Sequence, residues 1–87
     1  MARFRILIRA SAAREIEKIS TRRDRQRIID RIAALAEDPR PRGCEKLSGR
    51  EKYRIRQGPY RILYSVHDDH LIIHVVKVGH RKDVYRD

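Results

Sequence analysis

The chain has 87 residues, a length typical of one small domain, and we predict a single domain over residues 1–87. It contains 22 Lys plus Arg against 12 Asp plus Glu, which gives a formal net charge of +10. A charge of this size opposes compaction and indicates a polyanionic partner, with nucleic acid favoured over an acidic protein or an anionic membrane. A solvated basic surface without a partner is the plain alternative.

Redox and targeting features of the sequence favour the cytoplasm. Cys44 is the only cysteine, so no disulfide can form within the chain. No window approaches the ~20 apolar residues of a membrane span. Residues 1–9 lack the apolar core and the cleavage site of a signal peptide. We therefore expect a cytoplasmic protein without a membrane partner.

The N-terminal half of the sequence predicts one strand and two helices. Phe4, Ile6 and Ile8 alternate with Arg3, Arg5, Leu7 and Arg9, a period of two that is typical of a half-buried strand. Ser11 is expected to cap a first helix, and Thr21 with Asp24 is expected to cap a second that ends before Pro39. The apolar positions at helical spacing are Ile16 and Ile19, then Ile28, Ile29, Ile32, Leu35 and Ala36.

The C-terminal half changes to a period of two and predicts three strands. Residues 53–57 and 60–66 alternate on either side of Gly58-Pro59, and residues 71–78 form an apolar strand that ends at Gly79. The element order is then β-α-α-β-β-β. We predict an α+β fold with the two N-terminal helices packed on one face of a small, mostly antiparallel sheet.

Pairing the strands as hairpins assigns their side chains to two faces. If the loop at Gly58-Pro59 has an even length, Arg56 lies opposite Arg61, and a three-residue loop would move Arg61 to the other face. The face expected to meet the helices holds Tyr53, Ile55, Tyr60, Ile62, Tyr64, Val66, Leu71, Ile73 and Val75. The open face holds Arg54, Arg56, Arg61, Leu63, Ser65, Ile72, His74 and Val76.

Three arginines on the open face of one hairpin indicate an anion site. Directly opposed cations destabilise a sheet, and at about 4 Å and an effective dielectric constant of about 20 they repel by about 4 kcal/mol before screening. Guanidinium groups bind phosphate oxygens in a bidentate manner, so a bound phosphate would explain why the arginines are clustered. A solvated outer face, with arginines spread into water, is the competing interpretation.

The other candidate sites carry weaker signals. His67, His70 and His74 lie around a turn without the pattern of a metal site, so neither a metal nor a cofactor is expected. Cys44 lacks a partner for nucleophilic catalysis and is expected to be a loop or core thiol. An imidazole can transfer protons near neutral pH, which makes His80 an acid–base candidate, although its place beside Gly79 favours a loop.

Five short blocks follow one another from Lys46 onward. They are Lys46-Leu47-Ser48-Gly49, Tyr53-Arg54-Ile55-Arg56, Pro59-Tyr60-Arg61-Ile62-Leu63-Tyr64, Val78-Gly79-His80-Arg81 and Val84-Tyr85-Arg86. In this order and spacing they resemble the RelE branch of the RelE/ParE toxin superfamily. The element order extends the resemblance to the whole chain.

The resemblance implies a toxin of a type II toxin–antitoxin system that is a metal-independent, ribosome-dependent endoribonuclease. Such a toxin cleaves mRNA in the A site of the 30S subunit and blocks translation. The implied partners are the ribosome, mRNA and a cognate antitoxin protein. The implied catalytic residues are Arg54, Arg56, Arg61, Arg81 and Tyr85. The implied RNA-binding residues are Lys52, Arg54, Arg56, Lys82 and Arg86, with His80 as a candidate acid or base.

Arg54 and Arg56 depart from the best-known members, which have lysine at these positions. Arginine binds phosphate well but does not release its proton in proteins, so the departure affects proton transfer more than phosphate binding. We expect Arg61 and Arg81 to stabilise the phosphorane, and Tyr85 to act as general base or to stack on a base. The rival interpretations are a ParE-like inhibitor of DNA gyrase, a non-catalytic RNA- or ribosome-binding module and a degenerate toxin.

Overall fold

The computed structural model describes residues 3–47 and 51–80 of the chain. The strands form one sheet in the order β1-β5-β4-β3-β2, in which β1 and β5 are parallel and the other neighbours are antiparallel. The elements are β1 (Arg5–Ile8), α1 (Ala10–Glu17), α2 (Arg22–Ala34), β2 (Glu45–Lys46), β3 (Lys52–Gln57), β4 (Tyr60–His67) and β5 (Ile72–His80). The predicted α+β fold is confirmed, with β2 as an added two-residue strand.

The two helices begin for different local reasons. α2 begins at its predicted cap, where the Thr21 hydroxyl oxygen accepts a hydrogen bond from the Asp24 N–H at 3.3 Å. α1 begins one residue before Ser11, and its N-cap is Arg9, whose side chain makes no capping bond. The Arg9 N–H instead donates to the carbonyl oxygen of Val75 at 2.9 Å. The predicted Ser11 cap is wrong because the end of β1, held against β5, sets the start of the helix.

The core lies between the helices and one face of the sheet. α2 contributes the fully buried Ile28 and Ile32, while Ile29 is 45% exposed. Each buried aliphatic side chain contributes about 1.5–3 kcal/mol of hydrophobic stabilisation. The core residues are Ala12, Ile16, Ile19, Ile28, Ile32, Leu35, Tyr53, Ile55, Ile62, Tyr64, Val66, Ile73, Val75 and Val78.

Leu71 and Ile8 depart from the predicted alternation. Leu71 lies in the turn before β5 with a φ of 53°, and its side chain is 39% exposed. Its predicted place on the apolar face is wrong because the turn after Asp68 takes two more residues than expected. Ile8 is 42% exposed because β1 is an edge strand that pairs only with β5.

A β-bulge interrupts the pairing of β4 with β5. Tyr64 lies opposite Val75, but the preceding residue of β4, Leu63, lies opposite Lys77. Val76 therefore has no residue opposite it, and the alternation along β5 advances by one position. The bulge places Lys77 on the open face, where an unbroken alternation would place it on the apolar face.

A polar cluster, which we call the Arg40 cluster, ties the loop after α2 to one end of the sheet. Arg40 donates to the Tyr53 hydroxyl at 2.8 Å, to the Asp68 carboxylate at 2.8 and 3.3 Å and to Glu51 at 3.1 Å. Glu51 also accepts from the Tyr53 hydroxyl at 2.6 Å and from Lys46 at 3.3 Å. These bonds, led by that from Tyr53, lower the pKa of Glu51 to about 2. The bond from Arg40 lowers the pKa of Asp68.

The Arg40 cluster is expected to stabilise the fold at neutral pH and to lose this contribution to the free energy of unfolding in acid. The folded-state pKa of each carboxyl lies below its ordinary value, so its stabilisation is present above the unfolded pKa and is lost as the pH falls through the folded pKa. We expect Arg40→Gln to lower the free energy of unfolding at pH 6, and the difference from the wild type to shrink between pH 4.5 and about 2. Urea denaturation across this pH range measures it. Arg42→Gln, in the same loop and exposed, is the control, and a difference independent of pH would contradict the prediction.

Tyr64 links the core to the same loop through its hydroxyl group. Removing that hydroxyl group is expected to lower the free energy of unfolding. The hydroxyl donates to the carbonyl oxygen of Pro39 at 2.7 Å, and the ring stacks on Tyr53 with centroids 5.7 Å apart. Burial raises the pKa of Tyr64, so the hydroxyl remains a donor. We expect Tyr64→Phe to lower the free energy of unfolding by about 1–2 kcal/mol, because the carbonyl loses its partner. An unchanged urea midpoint would show that the bond adds nothing.

Candidate nucleic-acid interface

The first row of basic residues on the open face contains two opposed arginines. Arg56 lies opposite Arg61 in the β3–β4 hairpin, and Arg61 lies opposite Gly79 in β5. The hairpin loop is the two-residue Gly58-Pro59, so the predicted even length is confirmed. Gly58 has a φ of 58°, a conformation that favours glycine and permits the tight loop. The register therefore keeps both arginines on one face.

Arg61 is buried more deeply than an open sheet face predicts. It is 7% exposed, whereas Arg56 is exposed. Gly79 opposite has no side chain to occupy the space, and Nη1 of Arg61 donates to the Tyr60 carbonyl oxygen at 3.2 Å. The competing interpretation, an outer face whose arginines spread into water, is therefore wrong for Arg61. Burial fixes this guanidinium and strengthens its attraction for an anion, because the local dielectric constant is lower than that of water.

The second row runs across the sheet as Arg54, Leu63 and Lys77, with an acidic side chain at each end. Glu45 lies opposite Arg54 in β2, and its Oε1 is 3.2 Å from Nη2 of Arg54. At the other end, Oε2 of Glu15 is 3.6 Å from Nζ of Lys77. Opposite charges on neighbouring strands stabilise a sheet, and here each acid also orients one cation.

A groove of about 650 Å³ lies beside Leu63 and Lys77 of the second row. Lys52 and Lys77 give it basic walls, and Leu63 and Val76 give it an apolar floor. Single-stranded nucleic acid binds to positively charged grooves that follow its phosphate backbone. The groove therefore has the chemistry expected of an RNA-binding surface.

The structure separates His80 from the arginines of the open face. His80 is the last residue of β5, not a loop residue, so the loop interpretation is wrong. It lies opposite Tyr60 with the two rings edge to face and their centroids 6.0 Å apart. Alternation places this pair on the face opposite to that of Arg61. Lys52 is exposed on the open face, and Arg81, Lys82, Tyr85 and Arg86 lie outside the described residues.

Sequence reasoning missed Lys77, Glu45 and Glu15. The bulge hides Lys77, because an unbroken alternation counts it among the core positions of β5. A lysine at an apparent core position is the signal that the period is broken there. Glu45 was missed because its strand, β2, has only two residues and so shows no period. Glu15 was missed because the sequence does not reveal which strand a side chain of α1 contacts.

The described part of the chain contains neither a metal-ligand cluster nor a membrane-spanning helix. No three His, Cys, Asp or Glu side chains within residues 3–47 and 51–80 are grouped to hold a metal ion. Nε2 of His67 is instead 3.1 Å from the Ser65 hydroxyl oxygen. None of the helices in these same ranges is long and apolar enough to cross a bilayer.

The fold defines the class of the protein, because it matches solved RelE toxins over almost the whole chain. The RelE–RelB complex of Pyrococcus horikoshii contains a chain with a TM-score of 0.82 and 26% identity, with 93% of this chain and 97% of that chain covered. A mutant of Escherichia coli toxin RelE in the free state gives a TM-score of 0.78 and 27% identity, with 99% and 93% covered. The chain thus has a RelE-like toxin fold.

The family follows from the sequence match. Residues 6–85 match the family described as the ParE toxin of type II toxin–antitoxin system, parDE, and the chain belongs to this family. A local match to toxin RelG of Mycobacterium tuberculosis is 41% identical over 34 residues, which are 39% of this chain and 39% of RelG. The predicted membership of the RelE/ParE superfamily is confirmed.

The two basic rows predict that inorganic phosphate stabilises the fold. Phosphate that binds the Arg56–Arg61 pair in the folded state offsets the repulsion and adds stability by mass action. At equal ionic strength, we expect a higher thermal midpoint in phosphate than in chloride, and a smaller difference for Arg56→Gln. The control is Arg27→Gln, which removes an exposed arginine from α2. Equal differences in all three proteins would indicate a general salt effect and would contradict a site at these arginines.

Proposed function

We propose that this toxin is a ribosome-dependent endoribonuclease that cleaves mRNA in the A site of the 30S subunit and blocks translation. The observation that carries the proposal is the convergence of Arg54, Arg56, Arg61 and Lys77 from three strands on one open face. The likeness of the chain to solved RelE toxins and its motif resemblance to the RelE branch support it. The site of action is the cytoplasm, where ribosomes translate.

The arginines supply charge stabilisation in the proposed reaction. The 2′-hydroxyl oxygen attacks the phosphorus, and the phosphorane carries negative charge that must be stabilised. Arg61 is held in place by burial, and with Arg56 it binds the non-bridging oxygens. Arg54, oriented by Glu45, holds a neighbouring phosphate of the backbone.

The proposal includes residues of the C-terminal tail and the rim of the groove. Arg81 is a second group for the phosphorane, and Tyr85 is the general base for the 2′-hydroxyl or a stacking platform. Lys52, Lys82 and Arg86 contact RNA phosphates. The mechanism requires no metal or cofactor bound by the protein, since guanidinium groups carry the electrostatic role.

A cognate antitoxin is the second proposed partner. The Pyrococcus horikoshii RelE that this chain resembles forms a complex with RelB. An acidic segment of an antitoxin would compete with RNA for the same guanidinium groups, because both present oxygen anions to a basic face. The basic face would then serve both for RNA binding and for inhibition.

Ribosome-programmed cleavage tests the role of Arg61. We expect Arg61→Ala to slow single-turnover cleavage of ribosome-bound mRNA about 100- to 1,000-fold, because the phosphorane loses a preorganised donor. Arg27→Ala is the matched control, since it removes an exposed arginine from α2, and it should cleave at the wild-type rate. A thermal midpoint measured on each sample separates loss of activity from loss of fold. Cleavage by folded Arg61→Ala at the wild-type rate would contradict the phosphate role.

Inhibition of DNA gyrase is the second candidate function, because the family that matches residues 6–85 is described as that of ParE toxins. The same basic face would then meet DNA or an acidic surface of gyrase. Adding the protein to a translation reaction and to a supercoiling reaction distinguishes the two functions. Cut mRNA with normal supercoiling supports the nuclease, and the reverse result supports the gyrase inhibitor. Salt-dependent RNA binding without cleavage indicates a non-catalytic module.

A further inference from the structure

Proton transfer on the open face requires a group other than its arginines. Guanidinium groups do not release their protons in proteins, so Arg54, Arg56 and Arg61 can bind a phosphate but cannot protonate a leaving oxygen. His80 lies on the opposite face of the sheet beside Tyr60.

Lys52 and His74, which lie on either side of Ser65, form a third row that is one row farther from Arg61 than Lys77 is. Among residues 3–47 and 51–80, the releasable proton on the open face nearest to Arg61 therefore belongs to Lys77.

The register places Lys77 next to the buried arginine. Lys77 lies opposite Leu63, and Gly79, two residues further along β5, lies opposite Arg61. Diagonal neighbours on one face of a sheet are about 7–8 Å apart, which is within reach of long side chains. A phosphate bound to Arg61 is therefore within reach of the Lys77 ammonium group. The Lys77 side chain is 29% exposed, so it is partly shielded from water.

Glu15 holds the Lys77 ammonium group through a contact that is itself fixed by the backbone. Oε1 of Glu15 accepts a hydrogen bond from the Val78 N–H at 3.0 Å, and Oε2 is 3.6 Å from Nζ of Lys77. β1 pairs with β5 only as far as Val75, so beyond that residue Glu15 takes the place of a strand partner. The carboxylate cannot move without giving up the backbone bond, and this restricts the ammonium group as well.

We propose that Lys77 donates the proton to the 5′-oxygen of the leaving nucleotide and that Glu15 is its positioning residue. The inference rests on the proposed nuclease function and names a further residue of the same site. The 2′-oxygen forms a bond to phosphorus, and its proton passes to the general base of the proposed reaction. The P–O5′ bond breaks, and a proton from Nζ of Lys77 passes to the 5′-oxygen. The products are a 2′,3′-cyclic phosphate and a 5′-hydroxyl, and exchange with water restores the base and Lys77.

A substrate with sulfur in place of the 5′-oxygen at the cleaved bond distinguishes proton donation from structural support. The thiolate that leaves from this mRNA needs no proton. We expect Lys77→Met to slow cleavage of ordinary ribosome-bound mRNA about 100- to 10,000-fold, the range of general acid catalysis, and to cleave the sulfur-containing mRNA at nearly the wild-type rate. Lys18→Met, an exposed lysine at the C-terminal end of α1, is the control and should not change either rate.

Two further variants separate charge from proton transfer. Lys77→Arg keeps the positive charge but cannot give up a proton, so we expect it to be as slow as Lys77→Met on ordinary mRNA. Glu15→Gln keeps an oxygen for the Val78 N–H and removes the charge that faces Lys77. It should slow only the ordinary mRNA and should add nothing in the Lys77→Met background, whereas a structural role would slow both substrates.

The outcomes distinguish this inference from the function on which it rests. If wild-type protein leaves ribosome-bound mRNA uncut, both the nuclease function and the role of Lys77 are overturned. If wild-type protein cuts and Lys77→Arg cuts equally fast, only proton donation by Lys77 is overturned. The same holds if Lys77→Met is equally slow on both substrates while its thermal midpoint is that of the wild type.

Discussion

The register of β4 is the constraint on which the rest of the structure depends. β4 pairs with β3 on one side and β5 on the other, and it sends Ile62, Tyr64 and Val66 into the core. The alternate residues of β4, Arg61, Leu63 and Ser65, therefore belong to the open face. Because side chains alternate, a slip of one residue would drive the guanidinium into the core, where an uncompensated charge costs several kcal/mol. The burial of the apolar face thus decides where the basic face lies.

The like charges of the open face are held together by packing elsewhere in the molecule. Arg56 and Arg61 repel each other across the hairpin, but each aliphatic side chain in the core contributes about 1.5–3 kcal/mol. Glu45 and Glu15 add opposite charges at the two ends of the second row. A surface of this kind is tolerated because the core supports it, and an anion bound there would add stability rather than remove it.

The two basic rows divide the proposed chemistry between different strands. The arginine that burial fixes most firmly, Arg61, lies on the central strand, where a reacting phosphate would meet groups from both sides. Arg54 and Lys77 flank it and are oriented by acidic neighbours. Arg54 and Arg56 can bind phosphate but cannot release a proton, so proton transfer needs a different residue. In the proposed reaction the lysine at position 77 takes the proton step.

Local periodicity was enough to predict much of this protein from its sequence. The period of two over residues 53–66 predicted two strands and their apolar face, and the order of the elements predicted the fold class. The arginine pair depended on a loop of even length at Gly58-Pro59, which the sequence left open and the structure confirms. The tertiary structure alone decided the burial of Arg61, the bulge at Val76 and the contact between Glu15 and Lys77. Each feature depends on residues that are far apart in sequence. Arg61 lies opposite Gly79 of β5, and Glu15 of α1 meets β5 beyond the end of its pairing with β1, so no local period reveals either contact.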